Sequence, residues 1–166
     1  MTNAPHVLRP ATTQDLVAIN DIYNHYVRTS TCTYQEAEET IESRETWFQR
    51  HTEKHPVIVV EHAGKVLGWG SLSPYHARSA FRFTVENSIY VHPEFHRQKI
   101  GQAIMIKLLS RAKLLEHRAI IAAIDSNQGG SIALHTKFGF EKVGHMKKVG
   151  YKFGRWLDVV YMELLF

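Results

Sequence analysis

Hydrophobic residues recur along the chain with two spacings, one typical of helices and one typical of strands. Positions three or four apart predict a helix that begins at Thr13 and carries a continuous apolar stripe. The stripe consists of Leu16, Ile19, Ile22, Tyr23 and Tyr26. Further helices are predicted over Thr40–Lys54, Ile100–Glu116 and Gly130–Phe138.

Strands are predicted where short runs of β-branched and aromatic residues lie between turn residues. These runs are His6–Arg9, Val57–Glu61, Val66–Leu72, Phe83–His92 and Ala119–Ile124, with Phe140–Lys148 and Trp156–Leu164 as a closing antiparallel pair. Pro10 is expected to end the first strand. Because strands and helices alternate, with hairpins at both ends, the pattern predicts a single α/β domain over residues 1–166 with one mixed sheet flanked by helices.

Composition and charge limit the classes of ligand that the protein is expected to bind. The 166 residues are 44% hydrophobic and 22% charged, which are ordinary values for a globular domain. The net charge of +4, from 20 Lys and Arg against 16 Asp and Glu, suits an anionic ligand and does not by itself exclude nucleic acid. However, the chain has no basic stripe interleaved with aromatic residues, so we do not expect nucleic-acid binding.

Cysteine content and hydropathy indicate the compartment. The single Cys32 allows no intrachain disulfide and is interpreted as a small buried hydrophobe. No apolar run approaches the roughly 18 residues of a membrane span, and the N-terminus lacks a signal-peptide pattern. We therefore expect a soluble cytoplasmic protein that binds no membrane.

The stretch Ile89–Ile104 combines an apolar strand, a basic polar loop and the start of an amphipathic helix. A helix that opens from such a loop presents unpaired backbone N–H groups and the positive end of its dipole, which suits a pyrophosphate. Arg97 and Lys99 would add positive charge. On these residues alone, an ordinary strand–loop–helix connection is the alternative.

The motif Tyr-Val-His-Pro-(x)6-Ile-Gly-Gln-Ala in this stretch resembles the acetyl-CoA loop of the GNAT acetyltransferases, whose signature is [Gln/Arg]-x-x-Gly-x-[Gly/Ala]. His96 stands at the Gln/Arg position, Gly101 at the last position, and Lys99 where the first glycine is usual. Lys99 must then either keep a tight right-handed turn or meet the phosphate with its ammonium. The resemblance implies the GNAT fold, a mostly antiparallel mixed sheet with a strand split that admits acetyl-CoA as co-substrate.

The resemblance also implies which residues contact the cofactor. On the strand, a backbone N–H that the sheet leaves unpaired would bind the thioester carbonyl. In the turn before the last helix, either Asn127 or Gln128 would contact pantetheine. Ser131 is a further candidate, with a plain helix N-terminal residue as its alternative. The predicted cofactor contacts are Ile89, Tyr90, Val91, Arg97, Gln98, Lys99, Ile100, Gly101, Gln102, Gln128 and Ser131.

Longer motifs are similar to those of one branch of the GNAT acetyltransferases. Leu-Arg-Pro-Ala-Thr, Ile-Tyr-Asn-His-Tyr-Val, Thr-Val-Glu-Asn-Ser-Ile-Tyr-Val and Lys-Phe-Gly-Arg-Trp-Leu-Asp resemble the phosphinothricin and methionine-sulfoximine N-acetyltransferases. That resemblance implies a cytoplasmic homodimer that acetylates the α-amine of small glutamate-like or methionine-like compounds. It implies no metal.

Glu86 is the candidate base. An amine is protonated at neutral pH and cannot attack a thioester until a base takes its proton, directly or through water. Strand alternation places Glu86, Ser88 and Tyr90 on one face, where a carboxylate among apolar neighbours is costly unless it serves a pocket. Burial would raise its pKa toward the useful range of a base. An exposed-face strand glutamate is the alternative.

His135 is the candidate acid that returns a proton to the CoA thiolate. It occupies the position where GNAT enzymes commonly carry a tyrosine in the helix before Gly-Phe, as the resemblance to the phosphinothricin-type branch implies. Since the chain has 11 histidines, a structural role is the alternative.

Substrate recognition requires a cation for a carboxylate or phosphinate-like group. Arg78, with His76 beside it, lies in the loop after a strand that ends near the expected pocket, and a guanidinium binds such oxyanions in bidentate fashion. A solvated loop arginine is the alternative. Asn87 and Ser88 adjoin the candidate base and would help to place the amine.

The segment Gly150–Asp158 is predicted to form a β-hairpin with aromatic residues at its tip. Tyr151 and Trp156 would either pack in a dimer interface or cover the substrate.

Three functions follow from these observations. The first is acetylation of a small amino-acid-like amine, and the second is acetylation of a protein N-terminus or a polyamine. The third is a CoA-binding or nucleic-acid-binding module without catalysis. The anion-binding role assigned to Arg78 favours the first over the second.

Overall fold

The computed structural model describes residues 6–166, and in that range the chain forms seven strands and four α-helices. The strands are β1 (Val7–Pro10), β2 (Val57–His62), β3 (Lys65–Pro74), β4 (Thr84–Val91), β5 (Ala119–Asp125), β6 (Glu141–Lys152) and β7 (Arg155–Leu165). The helices are α1 (Leu16–Thr29), α2 (Ile41–Gln49), α3 (Ile100–Leu114) and α4 (Gly129–Lys137).

All seven strands belong to one sheet, in the order β1-β2-β3-β4-β5-β7-β6. Neighbouring strands pair antiparallel except β4 and β5, which pair in parallel. A parallel pair needs a crossover, and α3 provides it, with its preceding loop at the end of β4. The mixed, mostly antiparallel sheet is therefore confirmed.

Two hydrophobic layers cover the two faces of the sheet. One face packs on α3, whose buried positions include Ile104 and Leu108. The other face packs on α1, where Ile19 and Ile22 lie against Trp69 of β3. The predicted alternation along β4 is confirmed, because Val85 belongs to the α3 layer and Tyr90 to the α1 layer.

Several predicted element ends are wrong, each for a local reason. Pro10 closes β1 from within, paired with Ile58, because the last residue of an edge strand can lack its N–H without loss. The helix predicted to end at Lys54 ends at Gln49, and a separate turn closed by the His55 N–H follows. The closing hairpin is longer than predicted, since register shifts in β6 keep it paired to Lys152.

Over residues 6–166, none of the helices is both long and apolar enough to cross a bilayer.

Candidate active site

Strand β4 separates from β5 halfway along its length. Pairing between the two strands covers only Thr84 to Glu86, whereas pairing between β4 and β3 continues to Val91. Meanwhile β5 remains paired with β7 to its last residue, Asp125. The edge of β4 beyond Glu86 is therefore open toward β5, which is the strand split that the sequence implied.

Hydrogen bonds at the two ends of β4 fix which residues face this opening. The N–H of His92 donates to the carbonyl of Leu67 at 2.8 Å, and the N–H of Tyr75 donates to the carbonyl of Thr84 at 3.4 Å. Antiparallel pairs alternate between bonded and non-bonded residues, so the even-numbered residues of β4 bond to β3. The backbone groups of the odd-numbered residues point the other way, toward β5.

Because of this alternation, the three residues of β4 that were predicted to contact the cofactor do not all face the open edge. The N–H groups of Ile89 and Val91 face the open edge, whereas the backbone of Tyr90 is paired with Trp69 in β3. The Val91 carbonyl accepts a hydrogen bond from the hydroxyl of Tyr26 on α1. Two unpaired donors, on Ile89 and Val91, therefore remain beside the split.

The loop between β4 and α3 is held in an unusual backbone conformation. Arg97 and Lys99 both have left-handed backbone angles, with φ of 61° and 62°. The predicted right-handed turn at Lys99 is therefore wrong. Glycine adopts this conformation without strain, which explains why glycine is usual at the position that Lys99 occupies.

The side chains of this loop surround the N-terminus of α3. Arg97, Gln98 and Lys99 are exposed, and Ile100 is buried as the first helical residue. Gln102 is tied across to α4, since its Oε1 accepts a hydrogen bond from Lys137 Nζ at 3.0 Å. Exposed cations thus lie next to the free N–H groups of the helix, an arrangement that attracts phosphate.

His96, at the Gln/Arg position of the motif, is fixed to α1 rather than left free. Its Nε2 lies 2.6 Å from the Tyr26 hydroxyl, and the two rings stack. Tyr26 therefore joins the end of β4 to the loop, a connection between residues 65 and 70 positions apart that the sequence did not indicate.

Glu86 lies at the last residue of β4 that pairs with β5. Its side chain is half-buried, and burial raises the pKa of the carboxyl above its ordinary value. Among the described residues no side-chain hydrogen bond or salt bridge holds the carboxylate. The half-buried carboxylate thus lies at the point where the sheet opens, and its predicted role as the base stays a prediction.

Asn87 lies on the opposite face, where it contacts His135 of α4. The Nδ1 of His135, which is 5% exposed, lies 2.8 Å from the carbonyl of Ser131, so this nitrogen carries the proton. Its Nε2 then accepts from Asn87 Nδ2 at 3.0 Å. Burial lowers the pKa of His135, which keeps the ring neutral. Asn87 and His135 form a pair beside the split, apart from the face that carries Glu86 and Ser88.

The turn before α4 contacts the segment after α1. Gln128 caps α4, and its Nε2 lies 3.4 Å from the hydroxyls of both Ser30 and Thr31. Asn127 is exposed, and its backbone N–H donates to Asp125. The choice between Asn127 and Gln128 as a cofactor contact stays a prediction.

His76 and Arg78 lie in the exposed loop between β3 and β4. The backbone N–H of Arg78 donates to His76 Nδ1 at 3.2 Å, and the ring of His76 packs on Phe81. The Arg78 guanidinium makes no hydrogen bond or salt bridge to the described residues. It is therefore available to bind a ligand, and its predicted role in anion binding stays a prediction.

A cleft of about 440 Å³ opens on the α1 face of the sheet, and most of its lining was not foreseen from the sequence. Ser88 and Tyr90 of β4, both predicted site residues, contribute to it. The other lining residues are Tyr23, Glu39, Ser43, Arg44, Thr46, Trp47, Arg50 and Trp69. Trp47 lies in a predicted helix, and nothing in the local pattern of α2 distinguishes a cleft wall from a core position.

Comparison with known proteins identifies the family. The model of the acetyltransferase (GNAT) family matches residues 19–140, which include the split strand, the basic loop and the start of α4. The chain therefore belongs to the GNAT acetyltransferase family. It is an acetyl-CoA-dependent N-acetyltransferase.

Individual relatives and solved structures show which members of the family the chain is similar to. The chain is 35% identical over 158 residues to the L-methionine sulfoximine/L-methionine sulfone acetyltransferase of Salmonella typhimurium, covering 95% of this chain and 92% of that protein. It superposes with a TM-score of 0.93 on a phosphinothricin acetyltransferase from Sinorhizobium meliloti in complex with acetyl-CoA, at 37% identity over 96% of this chain and 88% of the other. A ribosomal-protein-alanine N-acetyltransferase from Brucella melitensis superposes with a TM-score of 0.93, at 35% identity over 96% of this chain and 99% of the other.

Proposed function

We propose that this enzyme transfers the acetyl group of acetyl-CoA to the α-amine of a small amino-acid-like substrate of the phosphinothricin or methionine sulfoximine and sulfone type, with Glu86 as the base. The observation that carries this proposal is the position of Glu86. A half-buried carboxylate with a raised pKa lies where β4 leaves β5, beside a cleft of amino-acid size. The relatives named for such substrates support the same class.

The residues present fit acetyl-CoA. The N–H groups of Ile89 and Val91 face the open edge of β4, and the cations Arg97 and Lys99 lie at the N-terminus of α3. These groups would bind the thioester arm and the pyrophosphate, respectively. When bound, acetyl-CoA supplies an activated acetyl group. The buried Asn87 Oδ1, which has no hydrogen-bond partner among the described residues, is a further acceptor beside the split.

The protein contributes three functions to the reaction. Glu86 takes the proton of the substrate ammonium, which frees the nitrogen lone pair for attack. An N–H on the open edge donates to the carbonyl oxygen as negative charge develops there. His135 lies beside the split, but in its neutral form Nδ1–H is bonded to Ser131 and Nε2 accepts from Asn87, so its proposed role as the acid for the leaving sulfur requires the protonated ring.

A thiol-release assay with acetyl-CoA and a panel of amines tests the proposal. L-methionine sulfone, L-methionine sulfoximine and phosphinothricin should release CoA thiol much faster than polyamines or amines without an acidic group. Equal turnover across the panel, or turnover of polyamines alone, would contradict the amino-acid assignment.

A second candidate is acetylation of a protein N-terminus, favoured by the likeness to the Brucella melitensis structure. A peptide beginning with the N-terminal residues of a ribosomal protein belongs in the same panel. The exposed loop that carries Arg78 supports the small acidic substrate instead, because a peptide amine lacks the adjoining carboxylate that a guanidinium would bind.

The closing hairpin supports a homodimer as part of this proposal. Tyr151, Phe153 and Trp156 are exposed at its tip, with Trp156 62% exposed. Tyr151 and Trp156 pack edge to face, which leaves an ordered aromatic surface on the edge of the sheet. Light scattering during size exclusion should give twice the chain mass, and Trp156→Glu should shift it toward the monomer. A dimer that survives this substitution would instead favour Trp156 as a cover for the substrate.

A further inference from the structure

The cleft on the α1 face contains a buried cation that forms no salt bridge with the described residues, although the charge of Glu39 acts on it from beyond salt-bridge distance. Arg44 of α2 is 4% exposed, although it lines the cleft. Its Nε donates to Asn20 Oδ1 at 3.1 Å, and no salt bridge joins its guanidinium to a carboxylate within residues 6–166. The carboxylate of Glu39, which also lines the cleft, accepts a hydrogen bond from the Ser43 hydroxyl. Such an unpaired buried charge is costly unless a ligand or a second group compensates it.

Aromatic rings hold this guanidinium in place. Its central carbon lies 4.6 Å from the Tyr23 ring centroid, 4.8 Å from that of Trp47 and 5.8 Å from that of Trp69. These contacts and the bond to Asn20 fix the plane of the guanidinium while leaving its terminal nitrogens without acceptors among residues 6–166. Arg44 is therefore a preorganised hydrogen-bond donor.

Trp69, which lines the cleft, carries a second donor that is also unsatisfied. The indole N–H of Trp69 is fully buried and has no hydrogen-bond partner among residues 6–166. Buried donors of this kind are rare in folded proteins and are usually paired with a ligand or an ordered water. The unpaired Arg44 guanidinium in an aromatic cleft therefore indicates a ligand with strong acceptor oxygens and an apolar body.

The cleft also lies at a suitable distance from the base. Ser88 lines it, and Glu86 is two residues away on the same face of β4, about 7 Å along the strand. An amino acid whose amine lies at Glu86 can reach the cleft with a side chain of methionine or glutamate length. The tip of that side chain, not the α-carboxylate, would then meet the guanidinium.

We infer that Arg44 is a specificity-determining residue that selects substrates by the oxygens on the tip of the side chain. The inference rests on the proposed function and extends it. Sulfone and phosphinate groups place two acceptor oxygens and a methyl group on one tetrahedral atom, and a sulfoximine places one acceptor oxygen, an imine nitrogen and a methyl group there. Those oxygens accept from Arg44, and the methyl group packs on the aromatic walls. Methionine, whose thioether is a weak acceptor, leaves the guanidinium unpaired and is disfavoured.

The test compares L-methionine sulfone with L-methionine. Wild-type enzyme should prefer the sulfone in kcat/KM. Arg44→Met should reduce this preference about 10- to 100-fold, mainly through a higher KM for the sulfone. Arg44→Lys should retain part of the preference, because an ammonium keeps the charge but loses the planar arrangement of donors. Arg111→Met, the same change on α3 across the sheet, is the control and should leave the preference intact.

The outcomes separate a recognition role from a structural one. If Arg44→Met and Arg44→Lys lower kcat/KM for both amino acids equally, the residue only supports the fold and the inference is wrong. Quenching of tryptophan fluorescence by L-methionine sulfone without acetyl-CoA gives an independent binding measurement, since Trp47 and Trp69 line the cleft. Quenching that Arg44→Met abolishes, in an enzyme that acetylates neither compound, would reject the proposed function and keep the binding site. Unchanged quenching in Arg44→Met would overturn the inference.

Discussion

The two sides of strand β4 offer different groups to a ligand. On the cofactor side, the loop and the strand split offer main-chain N–H groups, at Ile89, Val91 and the start of α3. On the acceptor side, the cleft offers side chains from α1, α2, β3 and β4, among them Arg44 and Trp69. The proposed cofactor site therefore depends on backbone conformation, and the proposed acceptor site depends on side-chain chemistry.

The difference explains why one side tolerates an unusual residue. Lys99 replaces the usual glycine, yet the loop keeps the left-handed angle that a glycine would provide, so its N–H groups still line the helix start. No comparable replacement is open to Arg44, because its donors belong to the side chain itself. We expect variants on the cofactor side to change acetyl-CoA parameters alone, and variants on the acceptor side to change amine parameters alone.

The largest effect is expected from Glu86→Gln. Loss of a general base typically lowers kcat by about 10²–10⁴-fold, while the acetyl-CoA dissociation constant should barely change. Steady-state kinetics and calorimetry measure the two quantities. Glu94→Gln is the control, because the exposed Glu94 pairs only with Lys65 and His92 near the loop. Near-wild-type turnover of Glu86→Gln from pH 6 to 9 would make Glu86 a structural residue.

The same variant has a consequence for stability. Burial raises the folded-state pKa of Glu86 above its unfolded value, so the folded protein holds the proton more tightly. Stability should therefore fall as pH rises through the interval between the two pKa values. Glu86→Gln should remove this slope, and thermal unfolding should show it more stable than wild type at pH 8 and similar at pH 4. A variant less stable at pH 8 would contradict the raised pKa.

Gly101→Glu tests the cofactor side with the next largest effect. A Cβ at this position would lie 3.6 Å from Leu134 and 3.7 Å from Val91, which are ordinary contacts, so the variant should fold. Its carboxylate would face the phosphates, and the KM for acetyl-CoA should rise by at least about 10-fold, as loss of a charged contact does. Ser110→Glu, farther along α3, adds the same charge as a control. Unchanged acetyl-CoA affinity would remove the pyrophosphate assignment.

Arg78→Ala should weaken binding of acidic amines. Breaking a charge-assisted pair in a desolvated site costs about 2–5 kcal/mol, and the exposed position of Arg78 lowers this expectation to about 1–2 kcal/mol, or roughly 5- to 30-fold in KM. Arg78→Lys should rescue only in part. Arg82→Ala in the same loop is the matched control. If the kinetics for acidic substrates were unaltered, acetylation of a protein N-terminus or polyamine would become the better assignment.

Lys99→Gly should give the smallest effect and separates conformation from charge. Glycine relieves the left-handed strain at φ 62° and should stabilise the fold by up to about 1 kcal/mol after the extra freedom of the unfolded chain is subtracted. Loss of the exposed ammonium should raise the acetyl-CoA KM only a few-fold. Lys99→Ala removes the charge without relieving the strain. If denaturant unfolding showed that Lys99→Gly is less stable than wild type, the left-handed backbone at Lys99 would not be a source of strain.

The sequence by itself determined the parts that local pattern and local backbone control. The alternation along β4 placed Glu86, Ser88 and Tyr90 on one face, and the loop from Arg97 to Gly101 was found from its motif. Both features depend on residues close together in the chain. The order of strands and helices likewise predicted the mixed sheet, because hydrophobic period and turn residues act over short distances. The family was indicated by the resemblance of the loop motif.

Only the tertiary structure decided how distant residues meet. Arg44 belongs to a short helix whose sequence pattern predicts only that one side of the helix is buried. The cleft forms because α2 packs over Trp69 of β3 and Ser88 of β4. Contacts of this kind join segments that are separated by tens of residues. Packing geometry fixes them, and no local period encodes it. The sequence therefore predicted the loop of the proposed cofactor site and gave no indication of the cleft on the α1 face.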